Sequence, residues 1–470
     1  MTHKSLLLLL LALLLCTASY ANLHDTANRA DYLIITPQNV IQSNAWIPQL
    51  ADWRNQHGRT AMLVPSDSIW TEFGNGTPSD TTLKAFLFYA YDHWSAPQLR
   101  DVFIIGWHDL VPSHIDSSFW EEPALSDYYF AVRDSSQYGL PLISIGRLPW
   151  SPSQTPQLYN YYNKIVAYET QPPAPWQRRV HLIADSTEQS FAFAEASDAS
   201  VEGLDSSVTI LRNYVDYPQG DPRHGDSTLF MRNWNDGSLV VAPFSRADFG
   251  TWGYGLHLTP DNLGTLSNGS RLPIVLGIEE DVSLSSFLLS GIPAVLLSNP
   301  NGGAIGYFGV SNYCFVGTTV SYRLGLLQVA TADSQRVLGD VWRMASIYLL
   351  PSMQAEWVML FGDPGLRLPA MHAAAIPEPT AVPHETRLIG NYPNPFNPST
   401  QIEFELKQTA RVKLEVMNIL GQHMDTLIDG PQAAGSHSIS WNGANHPSGL
   451  YFVVLQSGNI REVKKMMLLK

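Results

Sequence analysis

The residue types able to form a covalent intermediate are few in this chain. Cys314 is the lone thiol once residues 1–21 are set aside, because the other cysteine is Cys16. It stands in Ser311-Asn312-Tyr313-Cys314-Phe315-Val316. With no histidine beside it in the sequence to favour the thiolate, it reads as a buried thiol acting as a small apolar residue. Ser283, Ser285 and Ser286 follow the apolar run Leu272 to Ile278. Serines just past a strand end serve more often as helix caps than as nucleophiles. His257 precedes Thr259-Pro260 and reads as a residue that packs or caps its loop. Asp221, His224 and Asp226 are cation-ligand types, yet Gly220-Asp221-Pro222-Arg223-His224-Gly225-Asp226 reads as a solvated loop. From Ala131 to Ser136 the acidic content is Asp134, with Arg133 beside it. Neither a metal site nor a cofactor is expected.

These residues sit among alternating strands and helices. Tyr32 to Thr36, Thr60 to Val64, Val102 to Gly106 and Leu142 to Leu148 are apolar runs of strand length. Between them Trp46 to His57, Thr81 to Trp94 and Leu158 to Tyr168 carry apolar residues at helical spacing. A second unit has strands at Val180 to Ala184, Val208 to Leu211, Leu239 to Phe244, Leu272 to Ile278 and Ala304 to Phe308. Helices are expected around Ser285 to Leu297 and Gln335 to Leu350. Unbroken apolar strands alternating with helices predict mostly parallel sheets covered on both faces.

The Pro-rich break Gln171-Pro172-Pro173-Ala174-Pro175 divides the two units, giving residues 22–175 and 176–371. Residues 372–388 are rich in Pro and Ala and read as a linker. From 389 to 470 the period becomes two: Ile402, Phe404 and Leu406, then Val412, Leu414 and Val416, then Tyr451, Val453 and Leu455. That is a small β-sandwich of about seven strands.

Residues 1–21 form an export signal: Lys4, an apolar stretch from Leu6 to Leu15, and the small-x-small site Ser19-Tyr20-Ala21. The apolar stretch is too short to span a bilayer, and no other is long enough. Net charge is −14, or −15 without Lys4. An acidic chain with little Lys or Arg argues against nucleic acid and anionic membrane partners. One remaining cysteine leaves no intramolecular disulfide, so stability rests on burial.

Several segments together resemble the gingipain-like cysteine peptidases. They are Tyr32 to Thr36, Leu50-Ala51-Asp52-Trp53-Arg54, Asp101 to Asp109 and Ser126-Asp127-Tyr128-Tyr129-Phe130. Ile145-Gly146-Arg147-Leu148-Pro149, Ile165 to Glu169, Asn299 to Ile305 and Phe361-Gly362-Asp363-Pro364-Gly365-Leu366-Arg367 complete the set. The resemblance spans Tyr32 to Leu368 and implies two caspase-like α/β subdomains. Residues 391–470 resemble a type IX secretion sorting domain with an immunoglobulin-like fold. The matching residues are Asn391 to Thr400, Trp441-Asn442-Gly443, Ser448 to Phe452 and Lys464-Lys465-Met466. That likeness implies passage across an outer membrane, the secretion machinery as partner, and a secreted or cell-surface location.

The family's nucleophile strand ends in a cysteine, and here that position falls on Glu280. The family's histidine precedes a Trp-Gly pair, and counting back from Trp252-Gly253 reaches Arg246. Residues 240–256 hold no His and residues 270–290 no Cys, so a slip of one residue restores neither. Asp127 matches an acidic position of the family and, with no histidine to orient, reads as a turn residue. Where the family often has Asp after Phe103-Ile104-Ile105-Gly106, this chain has Trp107. A peptidase of this kind needs a thiolate, an imidazole and oxyanion donors. A carboxylate and a guanidinium supply neither of the first two. The expectation is a pseudo-peptidase that binds or scaffolds a protein or peptide, with Arg246 and Glu280 either facing each other as an ion pair or standing as two unrelated surface charges. Two alternatives stand beside it: an active cysteine-type endopeptidase whose nucleophile has moved, to Cys314 or Ser283, and a purely structural surface component.

Overall fold

The computed structural model describes residues 22–116, 124–133, 140–150, 155–185, 190–245, 247–248, 251–252, 256, 258–277, 291–311, 316–331, 337–346, 357–369, 386–432, 435–458 and 460–469. Two compact units divide the chain at Ala373/Ala374.

The first unit is built on one ten-stranded sheet. Its strands are β1 (Tyr32–Thr36), β2 (Ala61–Pro65), β3 (Asp101–Ile105), β6 (Ser144–Leu148), β7 (Arg179–Asp185), β8 (Thr209–Tyr214), β9 (Val240–Ser245), β12 (Ile274–Gly277), β13 (Gly306–Val310) and β14 (Val358–Phe361). Two hairpins lie outside it: β4 (His114–Asp116) with β5 (Ala124–Ser126), and β10 (Ala247–Asp248) with β11 (Thr251–Trp252). The sheet order is β2-β1-β3-β6-β14-β13-β12-β9-β7-β8. Five strands, β2 to β14, run parallel to one another, as do the five from β13 to β8. The two blocks meet at β13 and β14, which pair antiparallel. The carboxyl ends of one block therefore point to the opposite edge of the sheet from those of the other.

β1, β3 and β9 are buried at every residue, which is why Tyr-Leu-Ile-Ile-Thr, Asp-Val-Phe-Ile-Ile and Val-Val-Ala-Pro-Phe-Ser read as continuous rather than alternating apolar runs. Helices cover the sheet: α1 (Trp46–Gln56), α2 (Asp80–His93), α3 (Thr155–Thr170), α4 (Ser227–Asp236), α5 (Ile292–Ser298), α6 (Val316–Ala330) and α7 (Leu338–Ala345) are the ones that matter below. On α2 the buried residues are Leu83, Phe86, Leu87 and Ala90, the face that its helical spacing predicts. Of the stretch Gln335 to Leu350, the helix observed is α7; the residues on either side of 337–346 lie outside the described set. Residues 285–290 lie outside it as well, and α5 begins at Ile292.

Three of the motif segments meet in one buried network. Arg54 on α1 bonds Glu169 on α3 at 2.7 Å and Asp363 at 2.6 Å, with all three side chains buried. The Tyr32 hydroxyl donates to Asp363 Oδ1 at 2.7 Å, and Trp53 Nε1 donates to Glu169 Oε2 at 2.8 Å. The Asp363 amide donates to the Tyr161 hydroxyl, which in turn donates to the Ile305 carbonyl. Removing these charges from water is tolerable only because each meets an opposite charge and its remaining sites are hydrogen-bonded. Burial and Asp363 together hold the Tyr32 hydroxyl well above its ordinary pKa. A second cluster fixes Asn299 to Gly303. Asn268 Oδ1 accepts from the Gly303 amide, while Trp234 Nε1 and Asn268 Nδ2 donate to its carbonyl. Gly303 has φ of 85°, and an added Cβ would meet the Leu296 carbonyl at 2.2 Å, so only glycine fits.

The second unit is a sandwich of a three-stranded and a four-stranded antiparallel sheet. Its strands are β15 (Arg387–Tyr392), β16 (Ser399–Leu406), β17 (Ala410–Asn418), β18 (His423–Gln432), β19 (Gly435–Asn442), β20 (Gly449–Ser457) and β21 (Ile460–Leu468). The orders are β15-β16-β19 and β18-β17-β20-β21. Ile402, Phe404, Leu406, Val412, Leu414, Val416, Tyr451, Val453 and Leu455 all enter its core, as their period of two predicts.

Candidate functional site

β9 and β12 are neighbours in the sheet and parallel, with Ile274 opposite Val240 and Val275 opposite Val241. They end at Ser245 and Gly277, so the chain leaves both at one edge. In open α/β sheets the crevice beyond the carboxyl ends of parallel strands is where ligands bind. In sequence, Arg246 follows β9 directly and Glu280 comes three residues after Gly277. Arg246, Glu280, His257, Ser283, Ser285, Ser286 and Cys314 lie outside the described residues, as does Asp134.

The described frame around this edge has two contrasting sides. Tyr307 on β13 reaches across Gly277: an added Cβ there would lie 1.9 Å from the tyrosine hydroxyl. A glycine at the end of β12 is thus the condition for Tyr307 to occupy its place. The Tyr307 ring stacks on Trp252 with centroids 6.0 Å apart, and Trp252 lies 6.5 Å from Trp234 on α4. Trp252 is pinned by backbone bonds with Leu258 in both directions, at 2.7 and 2.9 Å. On the other side, Arg323 from α6 is fully buried, donates to the Pro243 carbonyl and lies 4.7 Å from the Phe244 ring. Asp185, at the end of β7, accepts from the Leu256 amide at 2.7 Å. The Ser245 hydroxyl is buried and meets no hydrogen-bond partner among the described residues.

The second block also holds a histidine that motif reading overlooked. His181, on β7, is wholly buried and flanked by Phe230 at 5.8 Å. Burial lowers its pKa to about 3, so the ring is neutral at physiological pH. Neither ring nitrogen has a partner among the described residues. It lies within the strand, four positions before β7 ends, and is core rather than edge.

Asp127 does more than turn the chain. It follows β5 at a bend, as a turn residue would, but its side chain is buried and holds Arg147. The Arg147 Nε and Nη2 atoms donate to Asp127 Oδ2 and Oδ1 at 2.7 and 2.8 Å. Nη1 donates to the Gly106 and Val111 carbonyls, each at 2.9 Å. A two-pronged pair of this kind ties the Ser126 to Phe130 segment and the loop after β3 to β6. Arg147 is the penultimate residue of β6, at the carboxyl edge of the first block, opposite to the edge where β9 and β12 end.

Asp221, His224 and Asp226 do not converge as cation ligands. Asp221 pairs with Arg223 at 3.0 Å, and the Arg223 guanidinium, with its amide, holds the carboxyl below the usual range. His224 Nδ1 bonds the Tyr217 carbonyl, and Asp226 caps α4 by accepting from the Leu229 amide. Among the described residues no cluster of His, Cys, Asp or Glu could hold a metal ion. Nor, among them, is any helix long and apolar enough to cross a membrane.

This arrangement of strands and motifs belongs to a known class of caspase-like peptidase domains. The sequence model of Peptidase family C25 matches residues 25–369, and the chain belongs to that family. The model of the secretion system C-terminal sorting domain matches residues 391–469, marking a chain sorted for export to the cell surface or beyond. The fold is similar to that of gingipain R (RgpB), described as an Arg-specific cysteine proteinase, at 14% identity and TM-score 0.56, covering 95% of this chain and 99% of that one. The complex of the Porphyromonas gingivalis RgpB pro- and mature domains matches at 14% identity and TM-score 0.56, over 93% of this chain and 100% of that one. A structure described only as a protease matches at 16% and 0.58, over 95% and 99%. At such identities these likenesses speak for the fold. No curated protein sequence matches the chain.

Proposed function

We propose that this chain is an exported member of the gingipain-like family that has lost the cysteine–histidine dyad and uses its α/β unit to bind a protein or peptide at the cell surface. One observation carries the reading. The pairing of β9 with β12 has an offset of 34 positions, and Arg246 and Glu280 are separated by the same 34. In sequence the two positions keep the spacing of the paired residues, and their residue types are guanidinium and carboxylate. Neither can form a thioester or shuttle a proton at neutral pH as an imidazole does. On this reading Arg246 and Glu280 neutralise each other, Asp127 is scaffold, and residues 1–21 are a signal peptide removed during export. The α/β unit comprises subdomains 22–175 and 176–371, joined by the linker 372–388 to the sorting domain 389–470.

The test is hydrolysis. Purified protein incubated with unfolded protein and with Arg- and Lys-directed reporter peptides is expected to cleave none of them. Arg246→His combined with Glu280→Cys is expected to introduce cleavage sensitive to thiol reagents. Cleavage by the parental chain that disappears with Cys314→Ala or Ser283→Ala would replace the proposal with a relocated nucleophile.

A further inference from the structure

Among the described residues, the two most exposed large aliphatic side chains are adjacent. Ile419 is 66% and Leu420 75% exposed, against 51% for the next, Ile115. Both lie in the turn between β17 and β18 of the sorting domain. Turns there are ordinarily filled by Asn, Asp, Gly or Ser, whose side chains either favour the conformation or are indifferent to water. Two branched aliphatics at such a tip gain nothing from the fold that a polar residue would not.

The tip is also rigid. Asn418 Oδ1 accepts from the amides of Leu420 and Gln422, at 2.9 and 3.0 Å, and its Nδ2 donates to Gln422 Oε1 at 2.7 Å. The backbones of Asn418, Gly421 and Gln422 close the turn with two further bonds, and Gly421 takes φ of 72°. Behind the tip the hairpin carries polar side chains: Lys413 bonds Glu415 at 2.8 Å, and His423 reaches Glu415 and Thr426. An exposed apolar pair held by a hydrogen-bonded turn and flanked by polar side chains suits a protein contact with an apolar centre and a polar margin.

We infer that Ile419 and Leu420 are the anchor by which the sorting domain docks into an apolar pocket on a protein of the export machinery. The match of residues 391–469 to a sorting domain means that some surface of this module is read by that machinery. A lipid surface is a poorer occupant, because two aliphatic side chains bury less than one acyl chain, and a single acyl chain already gives only marginal membrane binding. The inference rests on the sorting-domain match and is independent of the inactivity proposed for the α/β unit.

The experiment uses the full chain expressed in a bacterium that has a type IX secretion system. The fraction reaching the cell surface or medium is measured for the parent, for Ile419→Ser/Leu420→Ser, and for Ile389→Ser, which alters an exposed aliphatic on β15. The tip variant is expected to lose export on the order of tenfold or more while its thermal melt matches the parent, and Ile389→Ser is expected to export normally. If the double variant does not fold, Leu420→Gln alone is read the same way. Parental export by a folded tip variant overturns the inference, and so does an equal loss in Ile389→Ser. It is also overturned if the tip drives binding to phosphatidylethanolamine vesicles, or self-association seen by light scattering, while export is unaffected by its removal.

Discussion

Replacing Asp127 with Asn leaves the Arg147 guanidinium buried without its counter-charge. The pair is sealed, with side-chain exposures of 3% and 0%, and the carboxylate receives two of the guanidinium's donors. Removing one partner of such a pair costs about 3–5 kcal/mol, most of it the penalty for the charge left behind. Arg147 retains the Gly106 and Val111 carbonyls, so the expected loss is at the lower end, about 3 kcal/mol. Arg147→Met should cost at least as much, because Asp127 then has no cation and the two carbonyls lose their donor. The double variant Asp127→Asn/Arg147→Met should be more stable than the sum of the single losses by about 2 kcal/mol or more, within the range for residues in direct contact. Urea unfolding of all four proteins at pH 7, with matched m-values, measures this cycle. A single-variant loss below about 1 kcal/mol, or additive losses, would refute a structural role and return Asp127 to the list of candidate site residues.

Two other consequences follow from the described frame. His181 has a folded-state pKa of about 3, below the roughly 6.5 of an unfolded histidine, so the stability it contributes is complete above pH 6.5 and declines as pH falls. One proton is worth about 1.4 kcal/mol per pH unit, so the parent should lose roughly 2–3 kcal/mol more than His181→Leu between pH 6 and pH 4 in urea melts; parallel pH profiles would contradict a buried neutral ring. Gly277→Ala places a methyl group in the space of the Tyr307 hydroxyl and should cost about 1–3 kcal/mol by overpacking. Fluorescence should report it too, because the displaced ring stacks on Trp252; an unchanged spectrum and melt would show that the edge yields easily.

Long apolar runs were legible because a strand buried on both faces has no polar positions, and β1, β3 and β9 are of this kind. The sandwich was legible for the opposite reason: one face is wet, so its strands alternate. β14 is different. Val-Met-Leu-Phe is four residues long and ends at Gly362-Asp363-Pro364, and periodicity says nothing about so short a run. Its importance is also non-local, since it joins the two blocks of the sheet by pairing with both β13 and β6. α4 is harder to read because its cap, Asp226, is a residue type that suits a cation ligand as well as a helix start. Asp127 sits at its turn and also holds Arg147, and nothing local to Ser126-Asp127-Tyr128 indicates that Arg147 folds back onto it.

The segments that carry the family resemblance are the ones that hold the scaffold together. Arg54, Glu169 and Asp363 come from three separate segments, 115 to 309 positions apart, and meet in one buried network. Asp127 and Arg147 come from two more and form another. Asn299 and Gly303 are fixed by Leu266, Asn268 and Trp234. None of these contacts is made by a residue that directly follows β9 or β12. Membership of the family and possession of its chemistry are therefore written in different residues. On the proposed assignment of Arg246 and Glu280 to the dyad positions, this chain keeps the first without the second.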